Sequence, residues 1–166
     1  MRGMMLFVAG VIVSAGMQAV LAQRADGAAD RRGVVMMNHV AINVPDLSEA
    51  AAYYAARMGY QEAFRVNDAA GRPRIIYLHI SRDTFLELNQ AGDQRPVGFS
   101  HYGIQVEHAA DAVAAYRARG VTVTNTNVSD TKAILANITD PYMGRIELAE
   151  LPAESLHRQA IQRWAR

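Results

Sequence analysis

With 166 residues, 51% of them apolar, the chain can fill one ordinary domain with a real core. It has no cysteine, which excludes a disulfide framework, a lipid-modified cysteine and a thiolate nucleophile, so any bound metal must take nitrogen and oxygen donors. The formal net charge is +1 and the basic residues are scattered arginines with Lys132 the single lysine, so no nucleic-acid partner is expected.

Arg2 precedes an uncharged run over residues 3–21 that ends in Val20-Leu21-Ala22. A basic start, an apolar centre and a small residue before the cut are the parts of a secretory signal, so residues 1–22 are expected to be a signal peptide. Cleavage would leave a periplasmic or secreted protein with no membrane contact; left uncleaved, the run is long enough to span a bilayer. Residues 23–33 lack periodicity and read as a flexible lead-in. A single domain is expected over residues 34–151, built as two modules at about 34–89 and 100–151, with a C-terminal helix over 152–166.

The first strand carries Asn38-His39-Val40-Ala41-Ile42-Asn43-Val44. Alternation turns Val40, Ile42 and Val44 to one face and His39, Ala41 and Asn43 to the other. Asp46, with Glu49 three residues on, starts a helix that stops at Gly59. Strands follow at about 61–66, 73–80 and 84–89. After a linker at 90–99 the order repeats: a strand opened by His101, a helix over about 109–119 ending at Gly120, and strands near 121–124, 133–138 and 145–151. Tyr54 and Tyr116 stand at equal distances from His39 and His101. In the tail, Leu156, Ala160, Ile161 and Trp164 share one side and would dock on a sheet or on a second subunit.

A lone histidine on a strand is ordinarily a satisfied structural residue, and His79, His108 and His157 are read that way. His39 and His101 differ because they occupy equivalent module positions. Each also has a glutamate downstream, Glu87 between Leu86 and Leu88, and Glu147 between Ile146 and Leu148. Each carboxylate points away from its strand's apolar face, and the small neighbours Ala41 and Gly103 leave room beside the histidines. Four such groups on one concave sheet surface can converge as a metal site shared between modules. Asn43, Asn89, Gln105 and Arg145 share strand parity with them and are candidate substrate contacts.

These residues resemble the vicinal oxygen chelate superfamily, which includes glyoxalase I, methylmalonyl-CoA epimerase, extradiol dioxygenases, fosfomycin-resistance enzymes and bleomycin-binding proteins. The markers are Asn38-His39-Val40-Ala41, the stretch Tyr53-Tyr54-Ala55-Ala56-Arg57-Met58-Gly59-Tyr60, Phe85-Leu86-Glu87-Leu88, Ser100-His101-Tyr102-Gly103, and Asp140-Pro141 leading to Gly144-Arg145-Ile146-Glu147-Leu148. The resemblance covers about residues 36–151. It implies an α+β fold in which two βαβββ modules pair around a metal-binding cleft, either within one chain or swapped across a homodimer. It also implies His39, Glu87, His101 and Glu147 as ligands of one divalent transition metal: nickel, zinc, manganese, cobalt or iron.

The activity so implied is that of a glyoxalase I-like lyase or isomerase acting on a small oxygen-chelating substrate. The metal would stabilise an enediolate or enolate while Glu147 or Glu87 moves the proton. Glyoxalase I enzymes often carry arginine four residues after the first histidine, to hold the glutathione carboxylate; this chain has Asn43 there. The alternatives are a small-molecule binding or resistance protein without turnover and, third, an extradiol-type dioxygenase. The second carboxylate, Glu87, favours proton transfer over oxygen chemistry.

Overall fold

The computed structural model describes residues 32–164. The signal-peptide expectation and most of the lead-in lie outside the described residues. The chain forms β1 (Val34–Val44), α1 (Leu47–Met58), β2 (Gln61–Asn67), β3 (Pro73–Ser81), β4 (Thr84–Gln90), β5 (Gly98–Val106), α2 (Ala109–Arg117), β6 (Asn127–Val128), β7 (Ile134–Asp140), β8 (Gly144–Glu150) and α3 (Leu156–Arg163). No helix among the described residues is long and apolar enough to cross a membrane.

All eight strands belong to one strongly curled sheet in the order β2-β3-β4-β1-β5-β8-β7-β6. Each βαβββ module opens with a strand that runs parallel to the module's last strand, β1 with β4 and β5 with β8. The modules meet edge to edge where β1 pairs antiparallel with β5. The pairing of modules thus takes place within one chain, the first of the two arrangements left open by the sequence.

The helices follow their caps. The Asp46 carboxylate accepts from Glu49 N at 2.8 Å, and Gly59 closes α1 at φ 70°, a left-handed conformation that glycine enters without a Cβ clash. His108 makes no side-chain cap on α2; Glu150 reaches across from β8 to accept from Ala109 N at 2.7 Å instead. Where a strand was expected at about 121–124, only Val123 bridges to Ile138, and regular pairing resumes at Asn127–Val128. The intervening residues are polar, and Thr124 Oγ1 accepts from Asn137 N in place of a ladder bond. Val121 and Val123 both pack against the cluster under α2, and backbone bonds from Thr124 N to Asn137 O and from Thr139 N to Thr122 O flank the single bridge, but the polar stretch that follows extends it no further.

Alternation divides the core into two sides. On the convex side α1 covers Val44, Ile76, Leu78, Leu86 and Leu88, and α2 covers Val106, Ala136, Ile138 and Leu148. On the concave side α3 fills one end of the trough: Ala160 and Leu156 pack on Phe64, Tyr77 and Phe85, and Ile161 also reaches the cluster of Ala133, Ala149 and Leu151. The helix therefore bridges the two halves of the curl, and each large apolar side chain it helps to bury contributes about 1.5–3 kcal/mol.

Because Ala160 is 2% exposed against three aromatic rings, Ala160→Leu is expected to destabilise the fold by about 1–3 kcal/mol through overpacking. A urea midpoint lowered at unchanged m-value checks it.

Candidate metal centre

Two adjacent rows of paired residues across the concave face carry the site. In one, β3, β4, β1 and β5 present Tyr77, Glu87, Ala41 and His101 side by side; in the other, β1, β5, β8 and β7 present His39, Gly103, Glu147 and Asn137. Each glutamate thus lies in the row of the other module's histidine, separated from it by one small residue. The space beside that residue is where the rings lean. A Cβ built on Gly103 would stand 2.0 Å from His39 Cε1, so only glycine fits there.

His39 Nε2 and His101 Nε2 approach to 3.2 Å. Glu87 Oε2 lies 3.5 Å from His39 Nε2 and 3.7 Å from His101 Nε2, while the Glu147 carboxylate lies 3.5 Å and 3.9 Å from the same two atoms. Donor atoms of His39, Glu87 and His101 all lie within 4.8 Å of one another, which makes these three a group able to hold a metal ion. All four side chains are buried. Two imidazoles and two carboxylates form a donor set suited to a divalent transition metal.

The supporting contacts differ between the halves. His39 Nδ1 sits 3.0 Å from Asn38 Oδ1; the amide oxygen accepts from Nδ1–H and leaves the Nε2 lone pair free for a metal. Glu87 is held twice, by Tyr77 Oη donating to Oε2 at 2.5 Å and Asn89 Nδ2 donating to Oε1 at 2.7 Å. At the equivalent places around Glu147 stand Asn137, opposite it in register, and Ala149, two residues on, and neither bonds to it. Among the described residues no hydrogen-bond donor fixes the Glu147 carboxylate.

Electrostatics follow these contacts. Burial works to raise the Glu87 carboxyl, but the facing imidazoles and the Tyr77 and Asn89 hydrogen bonds outweigh it and hold Glu87 below the ordinary range. Burial and the charge on Glu87 push Glu147 up to about 8. Burial lowers His39 and takes His101 down to about 3, partly offset in each by Glu87. Tyr77 is pushed well above its usual value by burial and then by the two glutamates, so it remains a donor.

A cavity of about 620 Å³ opens beside the two carboxylates, Glu87 and Glu147, which line it. Asn43, Asn89 and Arg145 line it, as do Tyr77, Arg74 and Arg95; Gln105 is buried further along β5 and is not part of its lining. Arg74 pairs with Asp130. Asn43 Nδ2 donates to Pro96 O at 2.9 Å, whereas its Oδ1 has no partner. Arg145 Nη2 rests 2.5 Å from His101 Nδ1.

Sequence reasoning missed Asn38, Tyr77 and the neighbourhood of His157. Alternation turns Asn38 away from His39, but a register shift between Met37 and His39 brings both inside. Tyr77 sits on a strand that is apolar on both faces, so its parity with His79 was the only available signal. His157, read as a tail-helix residue, is buried from α3 among Phe64, Tyr77 and Phe85, with its ring stacked 6.3 Å from that of His39. Neither of its ring nitrogens has a partner, and burial takes its pKa down to about 3. His79 is packed between Phe85 and Trp164, away from the four groups.

Two comparisons with known proteins place the chain. The family model described as "Glyoxalase/Bleomycin resistance protein/Dioxygenase superfamily" matches residues 38–135. Among solved structures, methylmalonyl-CoA epimerase from Mycobacterium tuberculosis superposes with a TM-score of 0.61 at 21% identity, over 71% of this chain and 89% of that one. Streptomyces coelicolor methylmalonyl-CoA epimerase in complex with 2-nitronate-propionyl-CoA gives 0.61 at 16% identity, over 74% and 98%. BphC, a halotolerant catechol dioxygenase, gives 0.52 at 22% identity over 69% of this chain and 39% of that one. At these identities the likeness is one of fold. No curated protein matches by sequence.

Gly103→Ala is expected to displace the His39 ring and to cut metal affinity by an order of magnitude or more, which calorimetric titration with zinc checks. The buried groups also set a pH dependence for protein stripped with chelator. His101 and His157, depressed to about 3, contribute stability that is present above pH 6.5 and lost as pH falls through that window toward 3. Glu147, raised to about 8, contributes in the opposite sense, losing stability as pH rises from 4.5 through 8. Unfolding free energy is therefore expected to peak near pH 6.5, with each group contributing a slope of up to about 1.4 kcal/mol per pH unit in its window. In urea titrations at several pH values, Glu147→Gln should flatten the alkaline limb and His157→Phe part of the acid limb.

Proposed function

Because the chain belongs to the Glyoxalase/Bleomycin resistance protein/Dioxygenase superfamily, we propose that it is a glyoxalase I-like lyase or isomerase that moves a proton on a small substrate with two neighbouring oxygens. A divalent metal held by His39, His101, Glu87 and Glu147 would supply Lewis-acid polarisation of those oxygens. The protein's own residues divide the remaining work. Glu87, pinned by Tyr77 and Asn89, keeps its place and its charge. Glu147 has no such anchor and, in the chain alone, titrates near 8. It is the carboxylate free to leave its place, take a proton from carbon and return it, as a general base must.

That inequality between two carboxylates at equivalent positions is the observation carrying the reading. An oxygenase site gains nothing from a second, unanchored carboxylate, and a protein that merely captures ligand has no use for a base. Asn43 Oδ1, buried and unpaired on the cavity wall, would accept a hydrogen bond from a substrate hydroxyl or N–H. The cavity volume suits a small molecule. Residues 1–22 support export to the periplasm or beyond, and exposed Val35, Met37 and Phe99 along the β1/β5 seam support a homodimer.

The test is elemental analysis of the purified protein followed by a screen of 2-oxoaldehydes, thioesters and catechols with the metal found. Substrate C–H exchange is read by NMR in deuterated water. About one transition-metal ion per chain is expected. Glu147→Gln should slow exchange by about 10²–10⁴-fold while keeping most of the metal, and Glu87→Gln should lose the metal itself. Oxygen-dependent loss of a catechol would replace this reading with the dioxygenase one, and ligand capture without exchange would replace it with the binding protein.

A further inference from the structure

One pleat along the sheet from Tyr77, Glu87, Ala41 and His101 runs a second row, made of Ile75 on β3, Asn89 on β4, Asn43 on β1 and Gly98 on β5. Two residues advance a strand by about 7 Å, so this row lies that far from the one carrying Glu87 and His101. Ile75, Asn89 and Asn43 line the cavity, and Gly98 brings no side chain to cover its end of the row.

Hydrogen bonds fix which way both amides of the row point. Asn43 Nδ2 donates to Pro96 O at 2.9 Å. A carbonyl oxygen only accepts, so the atom facing it is the nitrogen, and turning the amide over would set two oxygens against each other. Asn89 is fixed in the same way, by donation from Nδ2 to the Glu87 carboxylate at 2.7 Å. For Asn43 the result is a stranded acceptor: the residue is 5% exposed, and its Oδ1 is buried with no partner. Among the described residues the other orphaned buried side-chain atoms belong to His157, which is enclosed by Phe64, Tyr77 and Phe85 and does not line the cavity.

A buried acceptor without a donor is a standing cost to the fold. Leucine, close to asparagine in size, would avoid that cost, and Ile75 shows that the same row carries an apolar side chain on the cavity wall. An occupant that brings a donor to this place removes the cost. One that brings a methyl group seals the oxygen off from water with nothing to bond, and an anionic oxygen would meet another acceptor. We propose that Asn43 is a specificity-determining residue: it selects chelating substrates that carry a neutral donor, a hydroxyl or an amide N–H, a few bonds beyond their two neighbouring oxygens, and rejects apolar analogues of the same shape. The inference rests on the metal-site reading above and adds to it the chemistry of the substrate's second point of recognition.

The experiment uses zinc-loaded protein and hydroxamates, which chelate through two neighbouring oxygens. Three pairs differ only in a terminal hydroxyl or methyl: glycolohydroxamate with propanohydroxamate, 3-hydroxypropanohydroxamate with butanohydroxamate, and 4-hydroxybutanohydroxamate with pentanohydroxamate. By calorimetry, the hydroxyl member of at least one pair should bind about tenfold tighter or better, the discrimination expected from one hydrogen bond made or missed at a buried acceptor. The preference should fall to one or below in Asn43→Leu and in the smaller Asn43→Ala, whichever of them folds, and survive in Asn43→Asp, which keeps an acceptor. Equal affinities within all three pairs, or a preference that persists in Asn43→Leu or Asn43→Ala, overturns this inference alone. Failure to bind zinc overturns the metal-site reading, and zinc bound without any hydroxamate overturns the chelating-substrate reading; either takes this inference with it.

Discussion

The antiparallel join of β1 to β5 is the constraint on which the rest of the structure depends. It sets Ala41 opposite His101 and His39 opposite Gly103, and through the parallel ladders on either side it places Glu87 and Glu147 in those same rows. Neither module owns a complete set of donors. A slip of one residue between β1 and β5 would turn a histidine to the convex face, where apolar residues pack under α1 and α2. The convex core therefore protects the register, and the register assembles the four polar groups. Burying them costs solvation, which shows in the depressed histidines and the raised Glu147.

Duplication makes the site nearly symmetric, and the departures from symmetry give it direction. Tyr77 and Asn89 in the first module correspond to Asn137 and Ala149 in the second, so one carboxylate is fixed and the other is loose. Arg145 on β8, two residues before Glu147, has no cationic counterpart on β4, where the residue two before Glu87 is Phe85. The arginine that contacts His101 and the unanchored glutamate thus lie on the same strand, β8. A proton-transfer site needs this kind of inequality, because two equally held carboxylates have no reason to take different roles.

The third element of the design is α3. Its apolar side closes one end of the trough with aromatic packing from Phe64, Tyr77 and Phe85, so the donor groups open toward the arginine-lined end. The same helix brings in His157, a neutral imidazole with two unpaired nitrogens stacked near His39. An orphaned polar ring in an otherwise apolar plug is a stability cost. Its ring stacks near that of His39, whose Cε1 and ring nitrogens Gly103 also lets approach closely.

Local rules were enough to read much of this from the residues. The repeated order of elements, the caps at Asp46 and Gly59, and the concave parity of His39, Glu87, His101 and Glu147 all follow from periodicity and turn chemistry, which act over a few residues. The family resemblance carried by the same motifs agreed with the fold. What local rules could not reach depends on how strands pair. A register shift sends Asn38 inward beside His39 against its own alternation, and Tyr77 lies on a strand apolar on both faces, where parity is silent. The union of modules within one chain, the unequal anchoring of the two glutamates, the place of His157 and the contact of Arg145 with His101 were decided by tertiary structure alone. Each brings together groups far apart in the chain through a sheet register or a docked helix, and no short-range pattern encodes that geometry.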